Sequence, residues 1–172
     1  MILRALILAL VIAGLDQASK WFILLEVMDP PRVIEVTGFF NLVLTYNTGV
    51  SFGLFGSESE WRPFILSGVA VAIVTGLFVW LSKEPTKMIA LSVGLISGGA
   101  IGNVIDRFVH IGVLDFLSFS ISWLPMRMFN PWPAFNLADS IIFVGVLVLL
   151  YDGLFLTPSK GNKVSTLEKD AD

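Results

Sequence analysis

Asp115, in Val113-Leu114-Asp115-Phe116, and Asp139, in Phe135-Asn136-Leu137-Ala138-Asp139-Ser140, stand where an apolar chain least tolerates charge. An ionisable group beside hydrocarbon is costly unless it is paired, hydrated or chemically employed. Two carboxyl groups brought together can share one proton, and the ionised member can then activate water for attack on a carbonyl carbon. Hydrolysis by a pair of acids is therefore the chemistry to test against the rest of the chain.

Other chemistries are thinner. The 172 residues include no cysteine, which excludes disulfides, thiolate metal sites and a cysteine nucleophile. His110 is the only histidine, so His-rich zinc sites are excluded, and we assign it no role. Ser19 and Lys20 are adjacent, about 100° apart around a helix, a poor arrangement for a serine–lysine dyad. No cofactor, metal or nucleic acid is expected.

What must position the acids is a membrane scaffold. The chain is 55% hydrophobic and 15% charged, the composition of an integral membrane protein. Four apolar runs, at about 2–25, 63–81, 88–105 and 140–156, approach the roughly 20 residues a helix needs to cross a bilayer. The expected fold class is therefore an α-helical integral membrane protein with four transmembrane helices. The first run is interrupted only by Asp16-Gln17-Ala18-Ser19-Lys20 and resumes at Trp21, which argues against a cleaved signal peptide. Arg4, Lys83, Lys87, Lys160, Lys163 and Lys169 fall on one side of these spans, against Arg32, Arg62 and Arg127 on the other. The bias places both termini in the cytoplasm and the two large loops, about 26–62 and 108–138, outside with both acids. Residues 1–157 read as one membrane domain, and 158–172 as a polar tail.

Phe40, Leu42, Leu44 and Tyr46 alternate with Asn41, Val43 and Thr45, a strand pattern with one strongly apolar face; with Val33 to Thr37 upstream it suggests a small sheet on the membrane surface. It runs into Asn47-Thr48-Gly49-Val50-Ser51-Phe52-Gly53, where glycines permit either a tight turn or close approach to a ligand. Asp16 and Lys20, four apart, can pair on one helix face, either to stabilise the helix or to orient loops around a site. Gly94, Gly98 and Gly102 form a small-residue stripe for close helix packing. Asn103, Asp106 and Arg107 share one face, and Arg107 either holds a carboxylate or carbonyls near the site or makes a structural ion pair. Trp123, Met126, Phe129 and Trp132 suit the headgroup level, as a lid or as an anchor. Asn136 and Asp139 face the same way, and Asp139 also suits a helix N-terminus. Asp152 reads as interfacial and structural.

Taken in order, Asp16 to Lys20, Asn47 to Gly53, Gly98-Gly99-Ala100-Ile101-Gly102-Asn103-Val104-Ile105-Asp106-Arg107, Val113 to Phe116 and Phe135 to Ser140 closely resemble the motifs of the lipoprotein signal peptidase family, signal peptidase II. The likeness covers about residues 5 to 157. It implies an intramembrane aspartyl endopeptidase of the bacterial cytoplasmic membrane, with an extracytoplasmic β-cradle and a lid. Such enzymes cut prolipoproteins just before a diacylglyceryl-bearing lipobox cysteine and are blocked by globomycin. By motif matching, Asp115 and Asp139 correspond to the catalytic dyad. Asp16, Lys20, Asn47, Gly49, Asn103, Arg107 and Asn136 match residues that bind substrate or support the site. The expected partners are a lipidated prolipoprotein, membrane lipid and globomycin-type inhibitors, with the enzyme working as a monomer. The stretch between the two acids is several residues longer than the family pattern, which bears on the lid. The alternative is a small proton-coupled transporter using the same acids; it predicts internal repeats or acids at the bilayer midplane, and neither is visible.

Overall fold

The computed structural model describes residues 1–49, 61–110, 112–120 and 131–156. The turn residues 50–53, the headgroup-level positions Trp123, Met126 and Phe129, and the tail from 158 lie outside the described residues. Among the described residues, four helices have the length and apolar composition to cross a membrane, over Ile2–Val27, Arg62–Lys83, Lys87–Val109 and Leu137–Leu156.

Helix α1 (Ile2–Phe22) passes into a π-helical turn at Ile23–Val27. Helix α2 (Arg62–Lys83) begins with Pro63 in its first turn, where the missing N–H is no loss, and ends on Lys83, which complements the carbonyl end. Thr86 caps α3 (Lys87–Val109) by accepting the Ile89 N–H at 3.0 Å. Helix α4 (Leu137–Tyr151) starts on a reciprocal cap, in which the Asn136 side chain accepts the Asp139 N–H and the Asp139 carboxylate accepts the Asn136 N–H. A π-helical turn at Asp152–Leu156 ends it, with Asp152 buried there.

Helix α3 is the centre of the bundle and packs on each of the other three. Of its most apolar stretch 61% is buried, against 28% for α1 and 11% for α2 and α4, so the outer three present most of their surface to lipid. The glycine stripe explains how close the helices come. A Cβ on Gly94 would meet Leu8, and one on Gly98 would lie 2.8 Å from the Ala9 carbonyl, so both glycines face α1. Gly99 faces α4 in the same way, 2.6 Å from the Ala138 carbonyl. Lipid tails are as apolar as side chains, so such backbone contact, rather than hydrophobic exclusion, favours association.

Above one end of the bundle lies an antiparallel sheet in the order β1-β2-β3: β1 (Ile34–Thr37), β2 (Phe40–Asn47) and β3 (Val113–Phe119). Leu42 and Leu44 of β2 pack with Phe116 of β3 on Ile23 and Met28, sealing the sheet to the end of α1. The third strand is the departure from the sequence reading, which placed 113–119 within an outer loop. Val113, Leu114, Asp115 and Phe116 are all buried, so the alternation that marks a half-exposed strand is missing there. Pairing with β2 sets Asp115 opposite Thr45.

Candidate active site

Asp115 stands on β3 and Asp139 in the first turn of α4, elements separated in sequence but tied by backbone hydrogen bonds. The Phe135 carbonyl accepts the N–H groups of Phe116 and Leu117, at 3.1 and 2.8 Å, and the Phe135 N–H donates back to Leu117. The chain entering α4 is thus an extra short rung beside β3, which brings the cap of α4 against Asp115.

Three asparagines surround the two acids, and each amide is oriented by a donor that cannot be reversed. Asn47 accepts the Gly49 N–H at 2.9 Å through Oδ1, leaving Nδ2 to donate to Asp115 Oδ2 at 3.0 Å. Asn136 accepts the Asp139 N–H at 2.9 Å, so its Nδ2 donates to Asp115 Oδ1 at 2.7 Å and to Asn103 Oδ1 at 3.1 Å. Asn103 Oδ1 also accepts from the Lys20 ammonium, and its Nδ2 donates to Asp139 Oδ1 at 2.8 Å. Asn136 therefore touches both acids, one through its side chain and the other through its backbone N–H, 3.3 Å from Asp139 Oδ2. Gly49 holds its Asx turn with φ of 80°, and a Cβ there would strike Leu66 of α2 at 2.6 Å.

Asp115 is 1% exposed, and burial pushes its carboxyl up to about 6. Hydrogen bonds from Asn47 and Asn136 and the charge of Lys20 oppose that rise, while the neighbouring Asp139 adds to it. Asp139 is only half-buried. The pair thus joins a desolvated carboxyl that keeps its proton easily to a wetter one.

Below the acids, Lys20 is 2% exposed and pairs with Asp16 at 2.7 Å and Asp106 at 2.8 Å, both of which are fully buried. Asp106 is absent from the set of candidates taken from the sequence, yet it sits at the centre of this network. Its signal was its place one turn after Asn103 on the glycine-rich helix. Gln17, also outside those candidates, donates to Asp106 at 2.7 Å and to the Gly102 carbonyl at 3.1 Å. Arg107 anchors on the Asn103 carbonyl at 2.9 Å and its charge acts on Asp139, Asp106 and Asp115. It also lines, with Asn103, a cavity of about 260 Å³ between α2, α3 and α4 whose other walls include Leu66, Val69, Ala100 and Ile142. This largely apolar groove meets the acids through Asn103, whose amide donates to Asp139. His110, outside this cluster, packs between the rings of Trp21 and Tyr46.

The chain matches the family described as Signal peptidase (SPase) II over residues 8–155. It is 41% identical to the lipoprotein signal peptidase of Nitrobacter hamburgensis, across 91% of this chain and 96% of that one. It is 40% identical to the lipoprotein signal peptidase of Caulobacter vibrioides, across 92% and 89% of the respective chains. A solved bacterial membrane enzyme superimposes with a TM-score of 0.72 at 25% identity, covering 89% of this chain and 94% of the other. A second, at 24% identity and a TM-score of 0.68, shares the fold. With its family match, these relatives and its four-helix membrane scaffold, the chain belongs to the signal peptidase II family and is an aspartic endopeptidase of the bacterial inner membrane.

Proposed function

We propose that the protein removes the signal peptide from diacylglyceryl-modified prolipoproteins, cutting just before the lipidated lipobox cysteine, with Asp115 and Asp139 as the catalytic pair. The observation that carries this reading is the single asparagine, Asn136, hydrogen-bonded to both acids, one of which is desolvated. Like charges this close resist joint ionisation, so the reacting form of the pair holds one proton between the two carboxyl groups. The ionised partner takes a proton from water, and the water oxygen attacks the scissile carbonyl carbon. The protonated partner hydrogen-bonds the developing oxyanion. On collapse the C–N bond breaks, a proton from the pair passes to the leaving amine, and the pair is left with one proton again.

In this scheme Asn47, Asn103 and Asn136 orient the carboxylates, Gly49 shapes the turn that aims Asn47, and Asp16, Lys20 and Arg107 support the site. The substrate's signal helix lies along the groove between α2, α3 and α4 with its acyl chains in lipid. Both termini lie in the cytoplasm, so the site opens at the extracytoplasmic edge, where water is at hand. Residues 1–157 act as one monomeric membrane peptidase unit, and globomycin-type cyclic peptides compete for the same groove.

The test is a gel-shift assay with purified lipidated precursor, with and without globomycin. Asp115→Asn and Asp139→Asn should remain folded and membrane-inserted while cleavage falls by about a thousandfold or more. Substantial cleavage by either variant would remove the pair from the mechanism.

A further inference from the structure

Two backbone hydrogen bonds pair with one another across the bundle. The Leu114 N–H, one residue before Asp115, donates to Asp106 Oδ2 at 2.9 Å. The Ala138 N–H, one residue before Asp139, donates to Asp16 Oδ1 at 3.0 Å. The two accepting carboxylates are fully buried, and they converge on one ammonium, that of Lys20. Its three protons are matched by three acceptors, Asp16, Asp106 and Asn103 Oδ1, the last at 3.1 Å. Lys20 thus has no proton to spare for chemistry, and its charge is committed to holding the carboxylates in place.

We propose that Asp16, Lys20 and Asp106 form a single positioning clamp that sets the placement of Asp115 relative to Asp139, each carboxylate gripping the N–H of the residue just before one catalytic acid. The inference rests on the assignment of Asp115 and Asp139 as the reacting pair. Packing alone does not call for this arrangement, because apolar side chains of similar volume stabilise a buried site as well as an ion triad does, or better. What the triad adds is direction. A carboxylate lone pair fixes an N–H within a few tenths of an ångström, and the shared ammonium links the grip on β3 to the grip on α4. Gln17, donating to Asp106 and to the Gly102 carbonyl, braces the carboxylate from the other side. Neither Asp16 nor Asp106 touches substrate in this account; both act through the backbone.

The clamp makes a kinetic prediction that a general role in stability does not. Asp106→Ala, Asp16→Ala and the double variant are compared with Asp106→Asn and Asp16→Asn, which keep an oxygen acceptor for the N–H. Asp139→Asn serves as the control for the underlying assignment. With lipidated precursor, each Ala variant should lose about ten- to a hundredfold in kcat, as misplacement of reacting groups does, with KM changed by less than about twofold. The double variant should lose no more than about the worse single, because both carboxylates act through Lys20. Each Asn variant should recover a measurable part of kcat. If an Ala variant does not fold, as judged by its melting transition, the matching Asn variant decides: a kcat loss at unchanged KM supports the clamp and native kcat overturns it. Native kcat in both Ala singles, losses confined to KM, or losses that multiply in the double variant would each overturn it. Activity in Asp139→Asn would instead show that the dyad assignment is at fault.

Discussion

The side-chain amide of Asn136 lies 2.7 Å from Asp115 Oδ1, so the residue that caps α4 is also a direct hydrogen-bond donor to the acid on β3. Losing the cap is expected to cost about 1 kcal/mol of stability. Losing the bond to Asp115 frees one carboxylate relative to the other, and Asn136→Ala should cleave on the order of a hundredfold more slowly. Asn136→Ser separates the two roles, since serine caps a helix but is too short to reach Asp115. It should restore the melting temperature and leave cleavage slow; recovery of cleavage would show that the link is dispensable.

Asn47 tunes the proton affinity of the site. Its amide stabilises the ionised form of Asp115, which burial and Asp139 have already raised from 3.8 to about 6 while Asn136 and Lys20 hold it down. Asn47→Ala removes a lowering contribution, so the carboxyl moves further up and the one-proton form of the pair persists to higher pH. The alkaline limb of the kcat/KM profile should therefore shift upward, with Arg107 and Asp106 unchanged nearby. Linkage adds a sign for stability. Between 3.8 and about 6 the folded state binds more protons at Asp115 than the unfolded state does, so this group's contribution falls as pH rises through that window. Asn47→Ala should widen the window, which melting temperatures measured across pH would register. An unshifted rate profile would sink this role for Asn47.

Gly102 and Gly14 make a contrasting pair. A Cβ on Gly102 would run into the Asp16 carboxylate, which Lys20 and the Ala138 N–H hold fast. Gly102→Ala is expected to cost about 1–3 kcal/mol as overpacking, and to slow cleavage by displacing Asp16. A Cβ on Gly14 would meet nothing within 4 Å, so Gly14→Ala should leave melting temperature and rate the same or slightly higher. Equal behaviour of the two variants in a thermal melt would contradict this packing.

Val69 is 53% exposed on α2 and lines the groove that leads to Asn103 and Arg107. Val69→Trp fills that groove without touching the acids. Obstructed entry should raise KM about tenfold with kcat nearly unchanged, the signature of lost ground-state binding. A fall in kcat at constant KM would place the substrate helix elsewhere.

Much of this protein is legible in the chain itself. Four long apolar runs require helices, because lipid offers no partner for an unpaired peptide group. Strand alternation before Asn47 and the glycine stripe on α3 announced local geometry in the same way, since both are periodic and need only neighbours in sequence. Asp115 and Asp139 stood out because charge in an apolar context is rare whatever the fold. The partners of those charges had no such signal. Spacing alone assigns Lys20 to Asp16, four residues away, yet it also holds Asp106, 86 positions further along. The third strand was hidden because full burial erased its alternation. Only the bundle decides that α1 and α3 supply the ions that grip β3 and α4. Hydrogen bonds and ion pairs depend on distance in space, and in this chain the relevant distances are closed by helix packing rather than by spacing along the backbone.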